Sequence, residues 1–212
     1  MTEVDFDQIS SYQRYKLMAS LIVPRPIALV TTLGANGVVN AAPFSMFNMI
    51  GEDPPILMIS INRLADGKLK DTAANIHATG EFVVNLVPEE MVQAMNITAL
   101  DAPVGMDELA IAGLETLPST LVKPPRIKGS PVAFECRMLA SVVTGPHQTV
   151  MIGRVHGFHV ADECVLNPER AHIDTPALQL VGRSYGSTYV RSHDTFELDR
   201  PKWADWSKSH PA

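Results

Sequence analysis

The chain has 212 residues, 46% of them hydrophobic and 19% charged, which gives enough apolar matter for a buried core and too little charge for a disordered polyelectrolyte. Its formal charge of −6 excludes a general attraction to nucleic-acid backbones or anionic membranes, so any phosphate site must be a local cluster of cations. The two cysteines, Cys136 and Cys164, form no CxxC pair, and the acidic start at Glu3, Asp5 and Asp7 lacks the pattern of a signal peptide, so a reducing cytoplasm is the expected setting.

In chain order, the first long apolar stretch is Pro26 to Gly51, 26 residues without a charge. Its length would let it cross a bilayer, but Gly34-Ala35-Asn36-Gly37 is a turn, and Asn40, Pro43, Ser45 and Asn48 would carry polar groups and a helix breaker into lipid. It reads as a buried hairpin, with strands from Ile27 to Thr32 and from Val38 to Phe44. Apolar runs from Ile56 to Ile61 and from Phe82 to Val87 are two further strands. Between them a short helix is predicted from Lys70 to Gly80, capped by Asp71 or Thr72 and stopped by Gly80. A second helix opens at Pro88, with Glu89 and Glu90 in its first turn, and runs to about Asn96.

From Leu117 to Pro131 four prolines prevent regular structure and predict an extended surface arm. The strand from Val132 to Val143 then alternates Phe134, Cys136 and Met138 on one face with Glu135 and Arg137 on the other, as a half-exposed antiparallel strand does. A long strand from Thr149 to Val160 carries Gly153 and Gly157, which predict bulges or tight corners. Cys164-Val165-Leu166 is a short return strand. At least seven strands, few helices and short connections predict a mainly β domain spanning 1–212, an antiparallel barrel closed or partly closed, with helical decoration.

Three cations, Arg63, Lys68 and Lys70, fall within eight residues, after a strand and before the helix near Thr72. Free amides and the dipole at a helix N-terminus favour an anion there, although a solvated basic loop has the same composition. In the hairpin, Thr31, Thr32, Asn40, Ser45 and Asn48 set small polar groups among apolar ones. That mixture lines pockets for planar heteroaromatic ligands, and it also serves ordinary strand and turn positions. No Gly-x-Ser-x-Gly elbow and no GxGxxG fingerprint occurs. His156 and His159, three apart on a strand, point to opposite faces, so no metal site is expected.

The strings Pro24-Arg25-Pro26-Ile27-Ala28-Leu29-Val30-Thr31-Thr32, Asn40-Ala41-Ala42-Pro43-Phe44-Ser45, Lys70-Asp71-Thr72-Ala73-Ala74-Asn75-Ile76 and Gly80-Glu81-Phe82-Val83-Val84-Asn85 resemble the flavin reductase-like family. These are FMN-binding split barrels that include flavoredoxin and the reductase components of two-component monooxygenases. The resemblance covers a core of about 20–190 and leaves 191–212 as a C-terminal extension. It implies a homodimeric antiparallel split β-barrel with FMN near the subunit interface. Thr31, Thr32 and the loop from Asn40 to Asn48, with Ala42 and Ser45 in it, would surround the isoalloxazine and ribityl chain. Ser60, Arg63, Lys70 and Thr72 would hold the phosphate. Gly182-Arg183-Ser184-Tyr185-Gly186 resembles the family's late Arg-x-Gly-Gly-x-x-Tyr segment, which brings Arg183 and Tyr185 towards the flavin.

The implied activity is NAD(P)H-dependent flavin reduction, with electrons passed to a second acceptor such as a monooxygenase. Gly145-Pro146-His147 stands where many NAD(P)H-using members show Gly-Asp-His. His147 is therefore the catalytic candidate, with a plain loop role as its alternative. The lost acid leaves open a flavoredoxin-like electron carrier without nicotinamide turnover. In the extension, Trp203 and Trp206 either dock across a dimer partner, as aromatic anchors do, or lie on a mobile end.

Overall fold

The computed structural model describes residues 1–103 and 106–209, so the last three residues of the C-terminal extension lie outside the described part. A helix α1 (Ser11–Leu21) precedes β1 (Arg25–Pro26), β2 (Ala28–Leu33), β3 (Val39–Phe44), β4 (Phe47–Glu52) and β5 (Pro55–Asn62). Then come α2 (Asp71–Thr79), β6 (Glu81–Leu86), α3 (Val92–Ile97), α4 (Glu108–Ala112), β7 (Thr116–Leu117) and β8 (Arg126–Ile127). The long strands β9 (Val132–Gly145) and β10 (Gln148–Val160) are followed by β11 (Val165–Asn167), β12 (His172–Ile173), β13 (Val181–Arg183), β14 (Tyr189–Arg191) and α5 (Trp203–Ser209). No described helix is long and apolar enough to cross a membrane.

Seven strands form one antiparallel sheet in the order β3-β2-β6-β9-β10-β5-β4. Its two edges, β3 and β4, are consecutive in the chain, with only Ser45 and Met46 between them. A link that short forces the sheet to curl until its edges approach; within it the Met46 carbonyl accepts the Ser60 N–H at 2.8 Å, carrying the β4–β5 pairing into the link. The result is a split barrel, as the sequence predicts. Inside the curl, Val30, Ile59, Ile61, Phe82, Val84 and Met151 form the main core, closed by Ala73 and Ile76 of α2. A second core, with Leu29, Ala41, Val87, Met95 and Leu109, lies on the other face beneath α3 and α4.

Both glycine bulges expected in β10 are present, with register shifts at Ile152/Gly153 and Val155/Gly157. At Gly153 the reason is close approach, because a Cβ there would stand 2.3 Å from Phe82 Cζ.

The segment read as a loop through Asn48 is instead β3, the two-residue link and β4. Helix α1 was not foreseen, since it buries no residue and shows no apolar stripe; its signal is the capping box between Ser10 and Gln13. Glu135, expected on an exposed face, is only 1% exposed. The arm rich in proline lies over it, and its carboxylate accepts the N–H groups of Thr120 at 2.8 Å, Leu121 at 2.5 Å and Val122 at 3.1 Å. Further along the arm, the Thr31 hydroxyl donates to the Pro125 carbonyl at 2.6 Å, and the Asn85 side chain accepts the Ile127 N–H at 2.8 Å.

Candidate functional site

Alternation along β2 sends Thr31 and Thr32 to opposite faces of the sheet. Thr31 is fully buried and its hydroxyl is committed to the arm and to Asn85, so it does not reach a cavity. Thr32 is paired in register with Asn40, and their side chains share a face. Asn40 Nδ2 donates to Thr32 Oγ1 at 3.3 Å and to Thr72 Oγ1 at 2.9 Å, while Asn75 Nδ2 donates to Thr32 Oγ1 at 3.1 Å. This buried network bolts the first turn of α2 to the hairpin. Lys70, the N-cap residue, is exposed and caps no backbone amide with its side chain, which leaves the dipole's positive end facing outward.

Beside this helix terminus a cavity of about 250 Å³ opens between β3, α2 and the segment 98–102. Asn40, Ala42, Lys70, Asp71, Thr72, Asp101 and Glu108 are among the residues that line it. Glu108 Oε2 accepts the Ala41 N–H at 3.0 Å, capping the open edge of β3. Burial raises the pKa of Glu108, with Asp71 and Asp107 adding to the rise against the opposing Ala41 N–H. Sequence reasoning missed Glu108; Asp107 as the N-cap of a short helix was its only local signal.

Ser60 is half-buried near the end of β5. Arg63, just beyond that strand, donates its backbone N–H to the His147 carbonyl at 2.8 Å, so the exposed tip of the β9–β10 hairpin is tied against the cationic loop. Its Nη1 donates to the Gly67 carbonyl at 3.0 Å, and its buried Nε has no partner among the described residues. Lys68 is spent on a surface pair with Asp66 at 2.7 Å.

Ser45 and Arg183 line an adjoining cavity of about 450 Å³, and Pro43, Phe44 and Ala99 border both cavities. The aromatic ring on Arg183 belongs to Tyr189, whose centroid lies 4.7 Å from the guanidinium carbon and whose hydroxyl accepts from Nη1. Tyr185, the tyrosine expected in this role, is 61% exposed and lines neither cavity. Asn48 is exposed on β4, where its side chain accepts the Met49 N–H at 2.8 Å, and it borders a separate, mainly apolar cavity. The structure therefore brings together Thr32, Asn40, Ala42, Lys70 and Thr72, sets Ser45 and Arg183 next door, and leaves Thr31, Asn48 and Tyr185 apart.

The family model described as flavin reductase like domain matches residues 18–197 of this chain. The YwrF protein of Bacillus subtilis is 40% identical over 200 residues, spanning 92% of this chain and 97% of its own. Among solved structures, nitrilotriacetate monooxygenase component B from Bacillus cereus superposes with a TM-score of 0.88 at 33% identity, covering 93% of this chain and 98% of that one. The 2-nitrobenzoate 2-nitroreductase NbaA of Pseudomonas fluorescens has a TM-score of 0.88 at 32% identity, covering 95% and 98%.

Proposed function

The chain belongs to the flavin reductase-like family, and from that premise we propose that it is an FMN-binding oxidoreductase that draws electrons from NAD(P)H and delivers them to a second acceptor. The observation that carries this reading is the Thr32–Asn40–Thr72 network, which holds the N-terminus of α2 and Lys70 at the mouth of a polar cavity. The donor set suits a flavin mononucleotide. The first-turn amides of α2 and Lys70 suit its phosphate, and the carboxylates of Asp101 and Glu108 suit the hydroxyls of its ribityl chain.

Bound there, FMN would supply the two-electron redox chemistry. The chain's own groups hold and orient it: Lys70 and Thr72 at the phosphate, with Ser60 and Arg63 on the facing strand end, and Ala42 and Ser45 along the wall leading to the second cavity. His147 is the proposed residue on the reductant's side, because the hairpin tip that carries it is fastened to Arg63. A homodimer with flavin near its interface, a cytoplasmic setting and a monooxygenase partner complete the proposal. The name of the Bacillus cereus relative, a monooxygenase component, supports that partner.

A second reading, an electron carrier served by a protein donor, is favoured by Pro146 at the position of the missing acid. One experiment separates the two. FMN is added to the purified protein, its spectrum is recorded, and one equivalent of NADH and then of NADPH is mixed in without oxygen. Rapid bleaching of bound flavin supports the reductase and identifies its nucleotide. Binding without bleaching supports the carrier, and no binding removes both.

A further inference from the structure

Beyond Arg137, strand β9 continues where its neighbour β6 has stopped. The β6–β9 register ends at the Glu81–Arg137 pair, and the Met138 N–H, donating to the Gly80 carbonyl at 2.7 Å, makes the last bond on that side. Residues 139–144 stay paired with β10 on one edge and meet no strand on the other among the described residues. Register shifts fall at the two ends of this stretch and leave Ala140, Ser141, Val142 and Val143 as a regular run. The stretch has no charge and no proline, and Leu139, Val142 and Val143 are exposed. A free edge of this kind is a template for another strand, and folded chains blunt it with charges, prolines, bulges or a cover. Along the regular run none of these is present.

The chain carries a segment of matching pattern that is itself unpaired. Between β14 and α5, residues 194–202 have no regular structure, and no backbone group of residues 194–199 is hydrogen-bonded among the described residues. Asp194-Thr195-Phe196-Glu197-Leu198-Asp199 alternates with the period of a strand, Phe196 and Leu198 to one side and Thr195, Glu197 and Asp199 to the other. Phe196 and Leu198 are 88% and 87% exposed, so the chain that bears them does not bury them. Charge favours the match as well. Where the edge of β9 becomes free, Arg137 and Arg154 are direct cross-strand partners, and like charges so placed are destabilising unless something answers them. Arg137 is answered by Glu81 at 3.3 Å, whereas the exposed Arg154 has no ion pair among the described residues. A strand bearing Asp194, Glu197 and Asp199 would supply the missing acid.

We propose that residues 194–199 of a second copy of this chain add as a strand to the free edge of β9, each copy lending its tail to the other. A reciprocal exchange covers both edges at once and leaves neither open to a third chain. The root of the tail is anchored, because the Ser192 N–H donates to the Leu180 carbonyl at 2.9 Å, so the exchanged part begins after residue 193. Within its own chain the tail runs on to α5 with its apolar pair facing solvent, which leaves the pair for another copy to bury. The exchange rests on the homodimer of the reading above and needs no flavin.

The test mixes two full-length variants, Ser141→Cys and Glu197→Cys, lets their subunits exchange without FMN, and treats them with a short bismaleimide; the native Cys136 and Cys164 are buried. Peptide mass spectrometry should find residue 141 of one chain linked to residue 197 of the other. In sedimentation equilibrium, Leu198→Ser and Val143→Lys should each weaken self-association at least about tenfold, the first by loss of a buried apolar side chain and the second by a charge on the edge. Should Val143→Lys fail to fold, Leu198→Ser, in a segment without regular structure, decides. A dimer that forms without the link between 141 and 197, or whose dissociation constant neither substitution changes, overturns the exchange and leaves the homodimer standing. A link found only inside a chain that carries both cysteines overturns it too, since the tail then covers its own β9. If no dimer forms, exchange and homodimer fall together, while FMN binding is read separately. If FMN does not bind, the flavin reading falls and the link still decides the exchange.

Discussion

Glu135 on β9 and His159 on β10 meet beneath the proline-rich arm, with Glu135 Oε1 2.6 Å from His159 Nε2. The same carboxylate receives three consecutive arm N–H groups, so one side chain joins two strands and a loop. Glu135→Gln keeps the shape and weakens these contacts, and it should cost about 1–3 kcal/mol, read from the urea midpoint at neutral pH.

The pH dependence of stability follows from the same carboxyl. Burial alone would raise its pKa, but the Thr120 N–H, His159 and the Leu121 N–H together hold it below the ordinary glutamate value of 4.5. A carboxyl depressed in the folded state contributes its full stabilisation above the unfolded value and loses it as the pH falls through the folded one. Stability of the native protein should therefore drop below about pH 4.5, and the drop should be shallower in Glu135→Gln. Parallel curves for the two proteins would contradict this.

Glu108 has the opposite sign. Its pKa is raised, so its ionised form is the costly one in the folded state and stability is gained as the pH falls through the raised value. Glu108→Gln, which can still accept the Ala41 N–H, should raise the melting temperature at pH 7, by no more than about 1 kcal/mol of stability after solvent screening. A lower melting temperature would show that the capping role at β3 outweighs the charge.

If the proposed flavin site is right, replacing Arg63 and Lys70 together by Ala should weaken FMN binding at least about tenfold, since each would then remove a charge-assisted contact to phosphate. A fluorescence titration checks it, and unchanged affinity would place the phosphate elsewhere.

Gly153→Ala forces a Cβ to 2.3 Å from Phe82 Cζ in the main core, an overpacking expected to cost about 1–3 kcal/mol. Phe82→Leu in the same chain should recover part of that loss, which a four-protein denaturation series would measure.

The barrel strands were readable because their apolar residues run or alternate at a period of two, as at Phe134, Cys136 and Met138, and the α2 groove because cations, a cap and glycine occur together. What escaped had no such local sign. Helix α1 buries nothing, β4 carries Met49 and Ile50 on an exposed edge, and the alternation that points Glu135 to solvent cannot foresee an arm folding back over it. Arg25 and Arg183 lie 158 residues apart in the chain, and only the β1–β13 ladder makes them neighbours. Tyr189 replaces Tyr185 against Arg183 because the turn between β13 and β14 brings the later tyrosine back onto the arginine, its register partner.

The two-residue passage through Ser45 and Met46 makes the pocket a property of ring closure. Asn40 to Phe44 stand on one rim of the split sheet, while Ser60 lies on the strand next to the other rim and Arg63 follows just beyond its end. A molecule gripping both sides acts as a clasp across the seam, and its affinity is added to the free energy holding the rims together as RT ln(1 + [L]/Kd). Occupancy and barrel integrity then become one measurable quantity, and the empty protein is the looser ring, whose seam residues should exchange their amide hydrogens first.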